Sequence, residues 1–116
     1  MTTTELLFAG VPVADFAAAV AWYGRLFGRP ADVVVAEAEV MWRVAPTGWV
    51  YVIADAGHAG HALVTISVSD LDEAIAELNA RGITPNAVEV IDGAGRKAPV
   101  TDPDGNTIAF IEVPSR

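Results

Sequence analysis

The sequence predicts an α+β fold made of two tandem βαβββ modules whose curved mixed sheets form a shared cleft, with the helices on the outer face. The first observation is an internal repeat, in which segment 12–23 recurs without a gap at 67–78. The matched pairs are Val13/Val68, Asp15/Asp70, Phe16/Leu71, Ala19/Ala74 and Val20/Ile75. Two copies indicate a duplicated half-domain, because a solenoid needs about three or more repeats. The second observation is that short β-rich segments follow each helical copy.

The composition fits one domain over residues 1–116, with module one at about 5–55 and module two at about 61–114. Of the 116 residues, 53% are hydrophobic and 19% are charged, which supplies a core and argues against disorder. The absence of cysteine excludes disulfides and thiolate metal sites.

The formal charge of −8 disfavours nucleic acid and anionic membranes as partners, because both attract basic surfaces. No apolar run reaches the roughly 20 residues that a membrane span needs. The first residues lack the basic segment followed by an apolar one that marks a signal peptide. We therefore expect a cytoplasmic protein. The acidic charge would suit a cationic ligand, and it would equally serve to keep a small protein soluble.

In module one, residues 6–13 are apolar and predict a strand. Asp15 is a good helix N-cap, and apolar residues recur after it at helical spacing as far as Phe27. The Gly-Arg-Pro sequence at 28–30 ends this helix. Three short segments rich in β-branched and aromatic residues follow, and they predict antiparallel strands. These segments are 33–35, 40–44 and 49–54.

In module two, a linker of small residues at 55–60 leads to a predicted strand at 61–68. Asp70 and Glu73 form a capping box for the second helix, which ends before Gly82. Three strands are predicted after it, with a glycine-rich loop before the second and a tight turn before the third. The strands lie at 85–91, 98–101 and 107–113, the loop at 92–97 and the turn at 102–106.

Two features together resemble the vicinal oxygen chelate superfamily. Each module opens its helix with Val-x-Asp-[Leu/Phe], and an Asp-Pro-Asp-Gly-Asn turn stands at 102–106 before the final strand. The superfamily includes glyoxalase I, extradiol dioxygenases, fosfomycin-resistance enzymes and bleomycin-resistance proteins, and the resemblance covers nearly the whole chain. It implies the paired-module fold but selects no activity, since one fold hosts many functions. It also implies a homodimer, with the cleft formed either within one chain or between two.

Enzymes of this family hold a divalent metal with His, Glu or Gln on the concave sheet faces, so the resemblance points to four positions. The first-strand ligand lies seven residues before the helix-opening Asp, at Phe8, and its counterpart in the repeat is Leu63. The last-strand ligand follows the Asp-Pro-Asp-Gly turn by four residues, at Ala109, and the same count from Gly48 gives Val52. All four side chains are apolar, so we predict no metal and no other cofactor.

Side chains alternate between the faces of a strand, so these four positions define the residues predicted to face the cleft. They are joined by Leu6, Val50, Thr65, Thr107 and Ile111. The residues that alternate with these, which include Trp49 and Tyr51, are predicted to pack under the helices in the core. Either Met41 or Trp42 lines the cleft, and His61 is placed near its mouth. The predicted ligand-binding residues are Phe8, Trp42, Val52, His61, Leu63, Thr65 and Ala109.

Each remaining polar candidate has a structural alternative. His58 and His61 are displaced metal ligands, rim groups or ordinary exposed histidines. Arg43 either pairs with an anionic ligand or is a surface charge. The basic pair at 96–97 either closes over a ligand or is solvated. The aspartates of the 102–106 turn are assigned no chemistry, because Asp in such turns bonds its own backbone.

These observations favour a metal-independent binding protein that sequesters an apolar or aromatic, or cationic, small molecule in the cleft between the modules. The alternative is a glyoxalase-like lyase, isomerase or dioxygenase with a non-standard metal site. A metal-free enzyme that uses His61, Tyr23 or Arg43, and a module that binds a peptide, are further alternatives. The sequence leaves open whether the protein is an enzyme.

Overall fold

The computed structural model describes residues 2–114 and shows the same order of elements twice. Module one consists of β1 (Leu7–Val13), α1 (Phe16–Phe27), β2 (Val33–Ala36), β3 (Glu39–Ala45) and β4 (Gly48–Ala54). Module two consists of β5 (Leu63–Ser67), α2 (Leu71–Ala80), β6 (Glu89–Ile91), β7 (Gly95–Thr101) and β8 (Thr107–Glu112). The predicted α+β fold with two βαβββ modules is confirmed.

The two sheets have the same topology. Sheet one has the strand order β1-β4-β3-β2, and sheet two has the order β5-β8-β7-β6. In each sheet the first strand of the module pairs in parallel with the last, and the other pairs are antiparallel. The helix that connects the first strand to the rest therefore covers one face of its own sheet, and the other face is left without a helix.

The helices begin at the residues that the sequence indicated. The Asp15 side chain accepts a 3.1 Å hydrogen bond from the Ala18 amide, and Asp70 accepts a 3.0 Å bond from the Glu73 amide. Each bond satisfies an amide that has no partner within its helix. Helix α1 ends at Gly28, whose φ of 74° is accessible to glycine at little cost. Within residues 2–114, no helix combines the length and apolar character that crossing a membrane requires.

One apolar core takes residues from both modules. Val11 and Val13 of β1 and Leu26 of α1 are fully or almost fully buried, as are Leu78 of α2 and Ile108 of β8. Burying a side chain of this size contributes about 1.5–3 kcal/mol. The two modules therefore share one hydrophobic interior on the helix-covered sides of their sheets.

The turn between β7 and β8 ties module two to module one through Asn106, which is fully buried. Its Oδ1 accepts hydrogen bonds from the Gly60 and Ala62 amides, at 3.0 and 2.9 Å. Its Nδ2 donates to the Pro12 carbonyl and to Asp102 Oδ2, both at 2.9 Å. All four hydrogen-bonding positions of this amide are thus used, between β1, the linker and the turn.

Asp102 organises the turn from within, as the sequence indicated. Its Oδ1 accepts hydrogen bonds from the amides of Asp104 and Asn106, both at 2.9 Å. Its Oδ2 also accepts a 2.7 Å bond from the Tyr23 hydroxyl of α1. A second tie between the modules is Arg81, at the end of α2, whose guanidinium donates to the last carbonyls of α1, those of Arg25 and Leu26.

The prediction of a loop at 92–97 is wrong for its second half, where β7 already begins at Gly95. A Cβ atom on Gly95 would lie 1.9 Å from the Glu112 carbonyl oxygen, so glycine is needed for the close approach of β7 to β8. Arg96 is held by Asp72 at 3.1 Å and lies 3.8 Å from Glu112. A glycine that permits strand pairing and a glycine that marks a loop look the same in the sequence.

Candidate functional site

Each sheet presents one open face, opposite its helix. The strand register shows which residues share that face. In sheet one, Phe8 pairs with Trp49, and Tyr51 pairs with both Gly10 and Met41. We call the face formed by these five residues open face one. Open face two is the corresponding surface of sheet two, and it is formed by Leu63, Thr65, Lys97, Pro99, Thr107 and Ala109.

The predicted parity of β4 is wrong. Val50 and Val52 are 1% and 0% exposed, and they pair with the core-facing residues of β1. Val52 is therefore a core residue rather than a residue of the cleft. Trp49 and Tyr51, which the sequence pattern assigned to the core, lie on open face one. A shift of one residue moves every side chain of a strand to the other face, so one miscounted position reverses the whole assignment.

The error lies in the turn before β4. Phe8 pairs with Trp49 just as its repeat counterpart Leu63 pairs with Thr107. Two residues further along, Tyr51 is therefore the counterpart of Ala109. Gly105 lies two residues before Thr107, whereas Gly48 lies only one residue before Trp49, so counting from the glycine of each turn fails by one residue. The alternation of aromatic residues with valine in Trp49–Val52 was the available signal, because compact valine suits a core and Trp and Tyr need polar partners.

Open face one carries three aromatic side chains, Phe8, Trp49 and Tyr51, which we call the aromatic patch. The Phe8 and Trp49 rings are stacked, with centroids 6.3 Å apart and planes 23° from parallel. Phe8 is 47% exposed, and Trp49 and Tyr51 are half-buried. The Tyr51 ring lies over Gly10, where a Cβ atom would be only 2.5 Å from its Cζ and Oη atoms. Glycine at position 10 thus leaves the space that the tyrosine occupies.

Trp42 does not line an open face, contrary to one of the two predicted registers. It is fully buried, and its Nε1 donates a 3.0 Å hydrogen bond to the Arg29 carbonyl. Its ring packs against Tyr23 and Phe27, with centroids 6.2 and 5.5 Å away. Met41, the other option, lies on open face one beside Tyr51.

Open face two forms a shallow depression of about 440 Å³. The structure brings together here three of the predicted residues, Leu63, Thr65 and Ala109. Leu63 is 83% exposed, whereas Ala109 is only 4% exposed and forms the floor. Half of the six residues that form this face are small or hydroxylated and none is aromatic, in contrast to the aromatic patch on open face one.

The residues at the four family positions do not fit a divalent metal. With the corrected register these positions are Phe8, Tyr51, Leu63 and Ala109, which offer one phenol in place of imidazole and carboxylate ligands. Among residues 2–114, no group of three or more His, Cys, Asp or Glu side chains is arranged to hold a metal ion.

Neither histidine lies in a strand of either sheet. His58 is in the linker, where its Nδ1 is 2.8 Å from Asp55 Oδ2 and its side chain is 81% exposed. His61 is exposed, two residues before the start of β5. Among residues 2–114, neither histidine belongs to a group of three or more possible metal ligands.

Two further polar candidates have structural partners. Arg43 is exposed, and its guanidinium donates to the Pro46 carbonyl. Tyr23 is fully buried, and burial raises the pKa of its phenol, an effect that the hydrogen bond to Asp102 strengthens. Tyr23 is thus part of the junction between the modules and does not reach an open face.

The family model for the Glyoxalase/Bleomycin resistance protein/Dioxygenase superfamily matches residues 5–110. No curated protein matches the sequence. Among solved structures, a glyoxalase/bleomycin resistance protein from Catenulispora acidiphila is 40% identical. The alignment covers 96% of this chain and 100% of that protein, with a TM-score of 0.90.

Two more distant structures share the fold at 21% identity. One is TnmS3, an antibiotic-binding protein from Streptomyces sp. CB03234, with a TM-score of 0.78 and coverage of 98% of this chain and 99% of that one. The other is a bleomycin-binding protein complexed with bleomycin, with a TM-score of 0.74 and coverage of 97% and 100%. At this identity the likeness concerns the fold alone.

Proposed function

Because the chain belongs to the Glyoxalase/Bleomycin resistance protein/Dioxygenase superfamily, we propose that it binds a planar, largely apolar small molecule without a resident metal. The aromatic patch is the observation that carries this proposal. The protein would act by sequestration, burying the ligand against the sheets and changing no bond in it. The fold of antibiotic-binding and bleomycin-binding proteins is compatible with this role.

The aromatic patch suits a flat ligand. Phe8 and Trp49 already lie close to parallel, so a third ring can extend the stack without rearranging either one. Aromatic pairs contribute about 0.5–1.5 kcal/mol beyond the area that they bury. The paired strands hold the backbone of these residues in place before binding, which reduces the conformational entropy that is lost on binding.

A single open face can cover only one side of a flat ligand, so we propose that a second copy of the chain covers the other. Large apolar side chains remain exposed on both faces, among them Phe8 at 47% on open face one and Leu63 at 83% on open face two. Exposed apolar patches of this kind often mark interaction surfaces. In this arrangement, open face two of one copy would lie opposite the aromatic patch of the other, and the ligand would be held between them.

Electrostatics adds a weak preference for cations. The charged residues beside the two faces are balanced, with Glu39 and Arg43 in sheet one and Glu89 and Lys97 in sheet two. Any preference therefore comes from the overall charge of −8, which acts at long range and is screened by salt. A cationic ligand should accordingly lose more affinity with salt than a neutral one.

The test uses metal-free bleomycin and the planar cation proflavine as probes, with chelator present throughout. Equilibrium dialysis should show saturable binding of at least one probe. Trp49→Ala should weaken that binding at least tenfold, whereas Val90→Ala should leave it unchanged. Val90 is 77% exposed and lies on the helix-facing side, so this variant removes exposed apolar surface away from both open faces.

The oligomeric state is measured separately by analytical ultracentrifugation. We expect a dimer. We also expect one ligand site wherever open face one of one copy lies opposite open face two of the other. Binding that survives Trp49→Ala, or that requires added Zn²⁺, Ni²⁺, Mn²⁺ or Fe²⁺, would contradict the proposed function.

A further inference from the structure

Tyr51 occupies one of the four positions that carry metal ligands in the enzymes of this family. Its side chain is a phenol instead of an imidazole, carboxylate or amide. The register places it opposite Gly10 on β1 and Met41 on β3. Its equivalent in the second module is Ala109, which has no polar side-chain atom. The two modules are thus unequal at this position, with a phenol in the first and a methyl group in the second.

Gly10 determines where the phenol lies. A Cβ atom at position 10 would be 2.5 Å from both Cζ and Oη of Tyr51 and 2.9 Å from its Cε2. Any residue larger than glycine would therefore force the outer end of the ring away from the sheet. The hydroxyl is held over the β1 backbone, at a defined point of open face one.

The aromatic patch consequently has an apolar end and a polar end. Phe8 and Trp49 stack at one end, and the Tyr51 hydroxyl lies over Gly10, two residues further along β1 than Phe8. A strand rises about 3.3 Å per residue, so the two ends are roughly 7 Å apart along β1. That separation matches the distance between a ring and a polar substituent of a small fused aromatic molecule.

We propose that the Tyr51 hydroxyl is the polar anchor of the ligand site and that it selects planar aromatic molecules bearing a hydrogen-bond acceptor. This inference rests on the proposed function and specifies its ligand class. The rings of the ligand stack on Phe8 and Trp49, and a carbonyl oxygen or a ring nitrogen accepts a hydrogen bond from Tyr51. The residues at the four family positions are unsuited to a metal that would bind a ligand oxygen. In this proposal the Tyr51 hydroxyl binds the ligand's acceptor atom instead.

The matched probes are 2-acetylnaphthalene, which has a carbonyl acceptor, and 2-ethylnaphthalene, which has the same skeleton without it. Equilibrium dialysis gives the affinity of each probe for the wild-type protein. Tyr51→Phe keeps the ring and removes the hydroxyl. It should weaken 2-acetylnaphthalene roughly three- to tenfold, as expected for one hydrogen bond, and leave 2-ethylnaphthalene unchanged.

Gly10→Ala tests the placement of the phenol. Because the new Cβ displaces the Tyr51 ring, this variant should also lose its preference for the acetyl probe. The matched control is Gly24→Ala in α1, where the nearest atom to a new Cβ is the Arg29 carbonyl oxygen at 3.7 Å. That variant should keep the wild-type ratio of the two affinities.

The ratio of the two affinities separates this inference from the proposed function. If Trp49→Ala weakens both probes but Tyr51→Phe changes neither or changes both equally, stacking stands and the phenol anchor is overturned. If neither probe binds the wild type, the anchor is overturned and the aromatic ligand class with it. A loss confined to the acetyl probe supports the anchor, because a purely structural role of Tyr51 would not discriminate between the probes.

Discussion

The Tyr23 hydroxyl donates a 2.7 Å hydrogen bond to Asp102 Oδ2, joining a helix of the first module to a turn of the second inside the shared core. Asp102 also accepts bonds from Asp104, and from the amide and the side chain of Asn106. One carboxylate therefore organises its own turn and fixes the neighbouring module at the same time. The junction is a polar network embedded in apolar packing, and such networks stabilise a structure only when every member is satisfied.

Replacing Tyr23 by Phe should destabilise the protein by about 1–2 kcal/mol. The ring and its packing remain, but Asp102 loses one donor in a buried site. Urea unfolding followed by circular dichroism measures the change. Tyr51→Phe is the matched control, because that hydroxyl lies on open face one, and its effect on stability should stay within about 0.5 kcal/mol. Equal effects of the two variants would contradict a role for the hydroxyl in the junction.

We expect the buried Tyr23 phenol to make the folded protein less stable at alkaline pH. Burial, aided by the bond to Asp102, raises the pKa of Tyr23 above its ordinary value of about 10. The unfolded chain releases this proton above about pH 10, whereas the folded chain retains it, so unfolding becomes more favourable as the pH rises. The urea midpoint should fall between about pH 9 and pH 11, and it should fall less steeply in Tyr23→Phe. Parallel pH profiles for the two proteins would show that another group is responsible.

Asn106→Ala should cost about 3–5 kcal/mol, more than the loss of the Tyr23 hydroxyl from the same junction. The change removes four hydrogen bonds at once and leaves the Gly60 and Ala62 amides without their acceptor. Thermal unfolding by calorimetry is the measurement. Asn86→Ala is the comparison, since Asn86 is exposed and its side chain donates only to the Thr101 hydroxyl. A loss for Asn106→Ala no larger than that for Asn86→Ala would refute its role at the junction.

Arg81→Leu should make the C-terminal turn of α1 open more often. The variant keeps much of the apolar stem but removes the donors to the Arg25 and Leu26 carbonyls, at a cost of about 1–2 kcal/mol. Amide hydrogen exchange should increase in the segment that follows α1, where the Arg29 amide bonds to the Gly24 carbonyl. Arg25→Leu changes the same charge at an exposed position and should leave exchange there unaltered. Similar exchange in both variants would assign the effect to charge alone.

The fold could be predicted because its signals are local. Asp15 and Asp70 each satisfy an orphan amide within three residues, so the helix starts are encoded where they occur. The repeat then supplied the order of elements, and the turn at 102–106 fixed the last strand. None of these inferences required knowledge of which strands pair.

The site could be predicted only in part because it depends on register. The pattern placed Leu63, Thr65 and Ala109 correctly on open face two, since the last strand follows a turn with a distinctive sequence. It misplaced Trp49 and Tyr51 because the glycine of the corresponding turn in module one lies one residue nearer to the strand position that pairs with β1. A register is a long-range property, set by the pairing of β4 with β1 across an intervening helix and two strands, and a count along the sequence cannot supply it.

The common core of the two modules bears on how such a chain could have arisen. A half-length ancestor with one module would have exposed the helix-covered side of its sheet wherever the second module now packs. Two identical copies could have covered that surface for each other, as symmetric dimers do. Duplication in one polypeptide removes the requirement that both halves stay the same. The two open faces were then free to differ, with aromatic side chains on one and none on the other, an asymmetry that an identical pair could not have acquired.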